Sequence, residues 1–446
     1  MKFTPAYIQS CFAIAIMIIA VSCKTDFEDI KYNNGNADLS RVVAVGGSHL
    51  AGYMDRALYR EAQSNSIPAI LSTRFSFVDG GPIIQPLVNS GVGIGIYGNA
   101  KYELRNIADP CKATMIVLPQ PVAASGDLNI YNPIGGLLLY NNVAVPNTRI
   151  GDLTRQSFGD PSPFLGNPLY ARFASQPGTS TISGDALLIN PTFIIVWIGM
   201  EDIYNYARSG GIEGGDSITA LSVFSSKYTN LINELTSLNA KGVVMNIPEL
   251  ATMPFFTEFA YNGLQLTAAE AADLNALYAV VDPSISFVAG ANPYVIEDPS
   301  KTTGRRTIVP GEYILMNVSR DSINCQGWGT IVPIDERYVL DADEVALINS
   351  AISSFNSIIT TSAASNGLAV CNMNAFYKTF NNEILLNGVN FSGEYIYGGI
   401  FSTDGYHPSQ RGNALLANEI ISTINSYYSS KIPLADVNAF SGIIIP

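Results

Sequence analysis

The chain holds two histidines, His49 and His407, so any imidazole chemistry rests on one of them. His407 lies in Ser402-Thr403-Asp404-Gly405-Tyr406-His407-Pro408-Ser409, three residues after Asp404. A tight turn of that length aims both side chains at one place. The carboxylate then holds one imidazole nitrogen and leaves the other free to take a proton from a hydroxyl, the arrangement that activates a serine nucleophile. A capping Asp beside a surface His is the plainer reading. The scarcity of histidine, and the framing by Pro408 and Gly412, favour the chemical one. A candidate hydroxyl stands in Val45-Gly46-Gly47-Ser48-His49-Leu50-Ala51-Gly52-Tyr53. Ser48 sits there at the carboxyl end of a strand, where α/β sheets place their sites. Its N–H opens a helix and suits an anion. Taken alone, Ser48 reads better as an N-cap in a Gly-rich turn.

These residues need a scaffold. Residues 41–47 (RVVAVGG), 191–199 (PTFIIVWIG), 242–247 (GVVMNI) and 368–373 (LAVCNM) read as buried strands, being β-branched or apolar runs of strand length. Helices are expected over 54–64, 218–239, from a capping box at Asp341-Ala342-Asp343-Glu344 to Asn366-Gly367, and over 410–428. Strands alternating with helices of this length imply a parallel sheet covered on both faces. The expected fold is therefore α/β: a three-layer α/β/α sandwich, flavodoxin-like, with a central parallel sheet of about five strands. Two stretches rich in Gly, Pro, Asn and Tyr, at about 70–185 and 250–335, read as long insertions at the sheet edge.

Composition narrows the classes. With 446 residues, 47% apolar and 14% charged, the chain is not disordered. A net charge of −13 lacks the basic footprint of a nucleic-acid protein. Residues 1–22 have the order of a secretory signal, with Lys2 ahead of an apolar run too short to span a bilayer. Ala20-Val21-Ser22-Cys23 resembles a bacterial lipobox, which implies lipidation of Cys23 and a membrane anchor without a spanning helix. Residues 23–38 then read as an acidic flexible tether, and 39–446 as a single domain. Asp26, Glu28 and Asp29 behind Cys23 resemble a surface-export signal of Bacteroidetes lipoproteins. The expected location is the bacterial outer membrane, on its periplasmic or cell-surface side. With Cys11 in the signal segment and Cys23 carrying lipid, Cys111, Cys325 and Cys371 are left, and their spacing leaves the pairing open. No Cys or His cluster has metal-ligand spacing. Gly93-Ile94-Gly95-Ile96-Tyr97-Gly98 matches GxGxxG but lacks the strand, helix and acid of a dinucleotide fingerprint, and reads as a Gly-rich loop.

The Ser48 block near the N-terminus and the Asp404-x-x-His407 block near the C-terminus together resemble the SGNH (GDSL) hydrolase superfamily. Segments 241–256, 291–298, 327–344 and 404–419 are similar to a lipoprotein subgroup found in Bacteroidetes. The resemblance implies Ser48 as nucleophile, Asp404 as orienter and His407 as general base. It also implies an oxyanion hole from Ser48, Ala144 and Glu201. Ala144 stands for the family's Gly, in Asn142-Val143-Ala144-Val145-Pro146. Glu201 stands for its Asn, in residues 191–207. Two departures stand out. The Asp of Gly-Asp-Ser is Gly47 here. Glu201 replaces an amide that would donate to the oxyanion, whereas an ionised carboxylate repels it, at a cost of about 2.7–4 kcal/mol for one lost donor. His49 has no clear role and reads as a packing or loop residue.

The expectation is a lipid-anchored serine ester hydrolase acting on an acyl ester of a lipid, a small alcohol or an acetylated glycan, with no cofactor. The rival is a non-catalytic ligand- or glycan-binding surface lipoprotein on the same scaffold, motivated by Gly47 and Glu201.

Overall fold

Four almost wholly apolar strands form the centre: β1 (Val42–Gly46), β2 (Phe193–Trp197), β3 (Lys241–Met245) and β4 (Ala369–Cys371). They pair in parallel in the order β1-β2-β3-β4. Burial on both faces explains why their sequences are continuous apolar runs rather than alternating ones. In this computed structural model, residues 31–134, 139–162, 165–211 and 216–446 are described. The signal-like segment 1–22 and Cys23 lie outside them.

A fifth, less regular line of backbone extends the sheet beyond β1. Ala44 N–H donates to Asn141 O at 2.8 Å, Val143 N–H to Ala44 O at 3.0 Å, and Val145 N–H to Gly46 O at 3.1 Å. Counted in chain order, the sheet then runs second, first, third, fourth, fifth. That is the flavodoxin-like order, with its crevice outside the carboxyl ends of the first and third strands. Those ends are the ends of β1 and β2, and Ser48 and Glu201 follow directly after them.

Helices cover the sheet in two layers. The helix pair α2 (Ile67–Phe75) and α7 (Gln410–Tyr428) forms one, with α7 against β3 and β4. The other holds α3 (Ile182–Leu188), α5 (Leu221–Leu235) and α6 (Ala342–Ser365). Two further helices, α1 (Ser48–Ala51) and α4 (Met200–Arg208), leave the carboxyl ends of β1 and β2. In α6 the Asp341–Glu344 capping box forms as the sequence predicts. Ile348, Ile352, Phe355 and Ile359 are all buried along its inner face, and Phe355 stacks on Phe224 at 3.8 Å. Each such side chain contributes about 1.5–3 kcal/mol of burial.

Three expectations need correction. Residues 54–64 are not one helix: Tyr53–Met54 and Ala57–Leu58 form a hairpin, and a helix starts only at Arg60. The turn residues Asp55 and Arg56 both have positive φ, 53° and 63°, which a two-residue hairpin turn needs but no glycine advertises. The stretch 70–185 is not only an edge decoration, because it supplies the fifth line of the sheet and α3. Residues 33–38 are not a free tether: Asn33 bridges to Lys431, Asn36 N–H donates to Tyr428 O at 2.8 Å, and Ala37 is buried. The second insertion builds small apolar cores of its own. The disulfide Cys111–Cys325 ties it to the hairpin Tyr102–Pro121 of the first insertion, leaving Cys371 free and buried. No described helix is long and apolar enough to cross a membrane.

Candidate active site

The Asp404–His407 turn is closed by its own backbone. Gly405 N–H donates to Ser402 O at 3.0 Å and Ser402 N–H to His407 O at 2.8 Å. Ser409 then caps α7 through Gly412 N–H. The turn delivers the arrangement its spacing promises. Asp404 Oδ1 accepts the N–H groups of Tyr406 and His407, and Oδ2 lies 2.9 Å from His407 Nδ1. The Asp55–Arg56 hairpin turn adds a further donor, Arg56 N–H to Asp404 Oδ2 at 3.1 Å. Asp55 in turn accepts from the Thr403 N–H and hydroxyl, so the left-handed turn and the catalytic-type turn lock together. Burial disfavours charge on Asp404. The His407 ring, its hydrogen bond and the two backbone donors outweigh that and hold the carboxyl well below the ordinary carboxylate range. His407 is 3% exposed, and its Nε2 has no hydrogen-bond partner among the described residues.

Ser48 is also buried, at the first position of α1. Its hydroxyl does not reach His407. It donates to Glu201 Oε1 at 2.6 Å, and the Ser48 N–H donates to the same oxygen at 2.9 Å. Glu201 comes from the first turn of α4, where the helix N-terminus favours acidic groups. Gly199 in the left-handed region, φ 106°, lets the chain swing from β2 into that helix. Glycine at position 47 leaves room for the carboxyl group as it stands: a Cβ there would lie 2.4 Å from Glu201 Oε2 and 2.6 Å from Oε1, so the carboxyl group would have to move. The two departures from the family pattern are therefore one structural event. Glu201 Oε1 fills the space in front of the Ser48 backbone N–H.

The Ala144 N–H is committed elsewhere, to Asn142 Oδ1 at 3.1 Å. The backbone donor that meets the Ser48 hydroxyl is Asn147 N–H, at 3.1 Å. Sequence reasoning missed it. Asn147 has φ 60°, a conformation that asparagine tolerates better than most residues and that glycine adopts freely. The Pro146-Asn147 pair was the available signal. A polar relay runs on from there: Asn205 Nδ2 donates to Asn147 Oδ1 at 2.8 Å, and Arg208 Nη2 donates to Asn205 Oδ1 at 2.5 Å.

His49 packs between rings, 4.8 Å from Trp197, 5.4 Å from Tyr406 and 5.2 Å from His407, and neither of its nitrogens has a described partner. Burial, and secondarily the neighbouring His407, push its pKa far down, so it is a neutral ring among tilted and edge-on neighbours. Asp202, next to Glu201, is pushed up to about 7 by burial, although Thr219 and the Ile150 N–H donate to it. Beside His407 opens a cavity of about 360 Å³, lined among others by Tyr97 of the Gly-rich loop, Arg56, Arg208 and Asp404. Among the described residues, no group of three or more His, Cys, Asp or Glu side chains is placed to hold a metal ion.

The profile of the GDSL-like Lipase/Acylhydrolase family matches residues 138–420, well over half of the chain. The chain belongs to that family. The match covers Glu201, Asp404 and His407 and begins after Ser48. No curated protein matches the chain. Three solved structures are similar to it at low identity. A GDSL-like lipase from Parabacteroides merdae is 10% identical with TM-score 0.35, covering 88% of this chain and 99% of that one. The lipase/acylhydrolase from Enterococcus faecalis is 12% identical with TM-score 0.32, covering 89% and 100%. An extracellular lipase from Streptomyces rimosus is 11% identical with TM-score 0.33, covering 86% and 99%.

Proposed function

We propose that the protein is a serine ester hydrolase, held on the bacterial outer membrane by lipid on Cys23, whose active site rests in a self-occupied state. The observation that carries this reading is His407: its Nδ1 is fixed by Asp404, while Nε2, on a cavity wall, is left without a partner. In the reaction, Ser48 Oγ attacks the acyl carbonyl and passes its proton to His407 Nε2. Asp404 keeps the imidazole in the right tautomer. The acyl group moves to Ser48, the alcohol leaves with the proton from His407, and water then releases the acid. The developing oxyanion takes the place of Glu201 Oε1 against the Ser48 N–H. The substrate carbonyl must therefore displace that carboxyl group before the Ser48 hydroxyl can turn to His407. Catalytic hydrogen bonds absent from a ligand-free site often form only with substrate.

Glu201 also supports a second reading, a binding lipoprotein that keeps the scaffold without turnover. The deciding assay is hydrolysis of short p-nitrophenyl esters by residues 24–446, beside Ser48→Ala and Glu201→Asn. Activity lost in Ser48→Ala supports the enzyme. No activity in either the parent or Glu201→Asn supports the binding protein.

A further inference from the structure

The cavity beside His407 carries a charge pattern at odds with the chain as a whole. The protein has a net charge of −13, yet two guanidinium groups, Arg56 and Arg208, line this one cavity. Arg105, Arg149, Arg155, Arg306, Arg320 and Arg337 each pair with a carboxylate. Among the described residues, Arg56 and Arg208 have no such partner, as is also true of Arg41, Arg60, Arg74, Arg172, Arg305 and Arg411; only Arg56 and Arg208 of these line this cavity. Asp404, also on the wall, is already engaged by His407 and by the Arg56 backbone. Both guanidiniums are held in place. Arg56 lies 4.7 Å from the Tyr102 ring centroid and Arg208 lies 4.9 Å from that of Tyr406. Arg208 is further fixed by Asn205. Cationic groups with little freedom left to lose make a preorganised anion site.

The position of the cavity says which part of an ester it receives. His407 lines it and Ser48 does not. The imidazole delivers its proton to the leaving oxygen, so the space on the His407 side receives the alcohol half. We propose that the substrate is the acyl ester of an anionic alcohol, an acidic sugar or a polyol phosphate, whose carboxylate or phosphate is held by Arg56 and Arg208. This rests on the esterase reading. The acyl C–O bond breaks, the acyl group forms an ester with Ser48 Oγ, and the anionic alcohol leaves with the proton from His407. The amide of Asn317 and the ring of Tyr97 in the same cavity suit the hydroxyl groups and apolar faces of such an alcohol.

The test compares 4-acetoxybenzoate with 4-acetoxybenzamide, which differ mainly in the charge on the leaving group. The expected kcat/KM ratio is about tenfold in favour of the anion at low salt, the effect of one charge-assisted hydrogen bond. It falls towards one in Arg56→Gln/Arg208→Gln and in high salt. A ratio of one in the parent, with amide hydrolysis abolished by Ser48→Ala, overturns the anion site and leaves the esterase reading standing. If neither ester is hydrolysed by the parent or by Glu201→Asn, the esterase reading fails. The anion site is then judged by calorimetry with 4-hydroxybenzoate against 4-hydroxybenzamide. Tighter binding of the anion, lost in the double variant, supports it, and equal binding overturns it. O-acetylated methyl glucuronoside and acetylated glycerol 3-phosphate distinguish a carboxylate from a phosphate source.

Discussion

Oε1 of Glu201 receives both hydrogen bonds that Ser48 has to give, the hydroxyl at 2.6 Å and the backbone N–H at 2.9 Å. Both donors of Ser48 are thus satisfied by the protein itself, and in the proposed reaction a substrate competes with that carboxyl group. Replacing that acid by the amide usual in the family, Glu201→Asn, removes the competitor and adds a donor. The expected outcome is a rise in kcat of about 10²–10³ on p-nitrophenyl acetate, abolished by adding Ser48→Ala. An unchanged or lower kcat sinks the idea that Glu201 restrains the site.

Asp404→Asn tests the orienter. The amide cannot hold the imidazole in the tautomer that leaves Nε2 free to accept. The expected loss is about 10⁴ in kcat, measured in the Glu201→Asn background, where the signal is larger. Because His407 and the turn's N–H groups keep Asp404 ionised far into acid, its protonation adds no limb to the pH–rate profile above pH 4. A loss of less than tenfold would remove Asp404 from the mechanism.

The turn Asp404-x-x-His407 was legible because most of what shapes it is local, namely four residues, their own N–H groups and a Ser cap on the next helix; the bonds to Asp55 and Arg56 come from afar. The four strands were legible because burial on both faces leaves β-branched or apolar runs of strand length. The Asp55–Arg56 turn was not, since neither residue signals a left-handed conformation; it is imposed by the hydrogen bonds linking it to Thr403 and Asp404. Asn147 was missed for a related reason. Its role depends on which N–H of residues 142–147 meets Ser48, and the side chain of Asn142 settles that by taking the Ala144 N–H. The sheet's fifth line at 141–145 is held by backbone bonds and by the side chains of Asn141 and Asn142, which donate to Val42 O and Leu50 O, and it carries almost no periodicity.

Asp202 gives a stability prediction. Its carboxyl is raised to about 7 in the folded protein, against about 3.9 unfolded. The folded state therefore binds more protons between these values. Its contribution is most favourable below pH 4 and is lost as pH rises towards 7. Asp202→Asn removes that dependence, so its melting temperature relative to the parent should climb between pH 5 and pH 8 by about 2 °C or more. A constant difference across that range would show that Asp202 is not the group responsible.

The disulfide Cys111–Cys325 closes a loop spanning 214 positions. Chain-entropy arithmetic for such a loop gives about 5 kcal/mol at most. Cys325→Ser should lower the melting temperature, and it should speed hydrogen exchange in the hairpin Tyr102–Pro121 and the helix Arg320–Cys325 more than in the central sheet. Uniform acceleration would mean that the bond supports the whole domain rather than the junction of the two insertions.

Gly47 and Glu201 should fail additivity. With Glu201 in place, Gly47→Ala puts a methyl group on the carboxyl oxygens and is expected to destabilise by about 1–3 kcal/mol. In Glu201→Ala the same change should cost far less. The coupling is read from a double-mutant cycle by chemical unfolding.

That close approach also orders the routes by which such a site changes. From the present sequence, restoring an acid at position 47 first meets a wall of oxygen atoms, whereas releasing Glu201 first opens room for it. The two single steps back towards a Gly-Asp-Ser site are therefore unequal. A library screened for recovered activity should reach position 47 more often through variants already changed at 201 than by single substitution at 47.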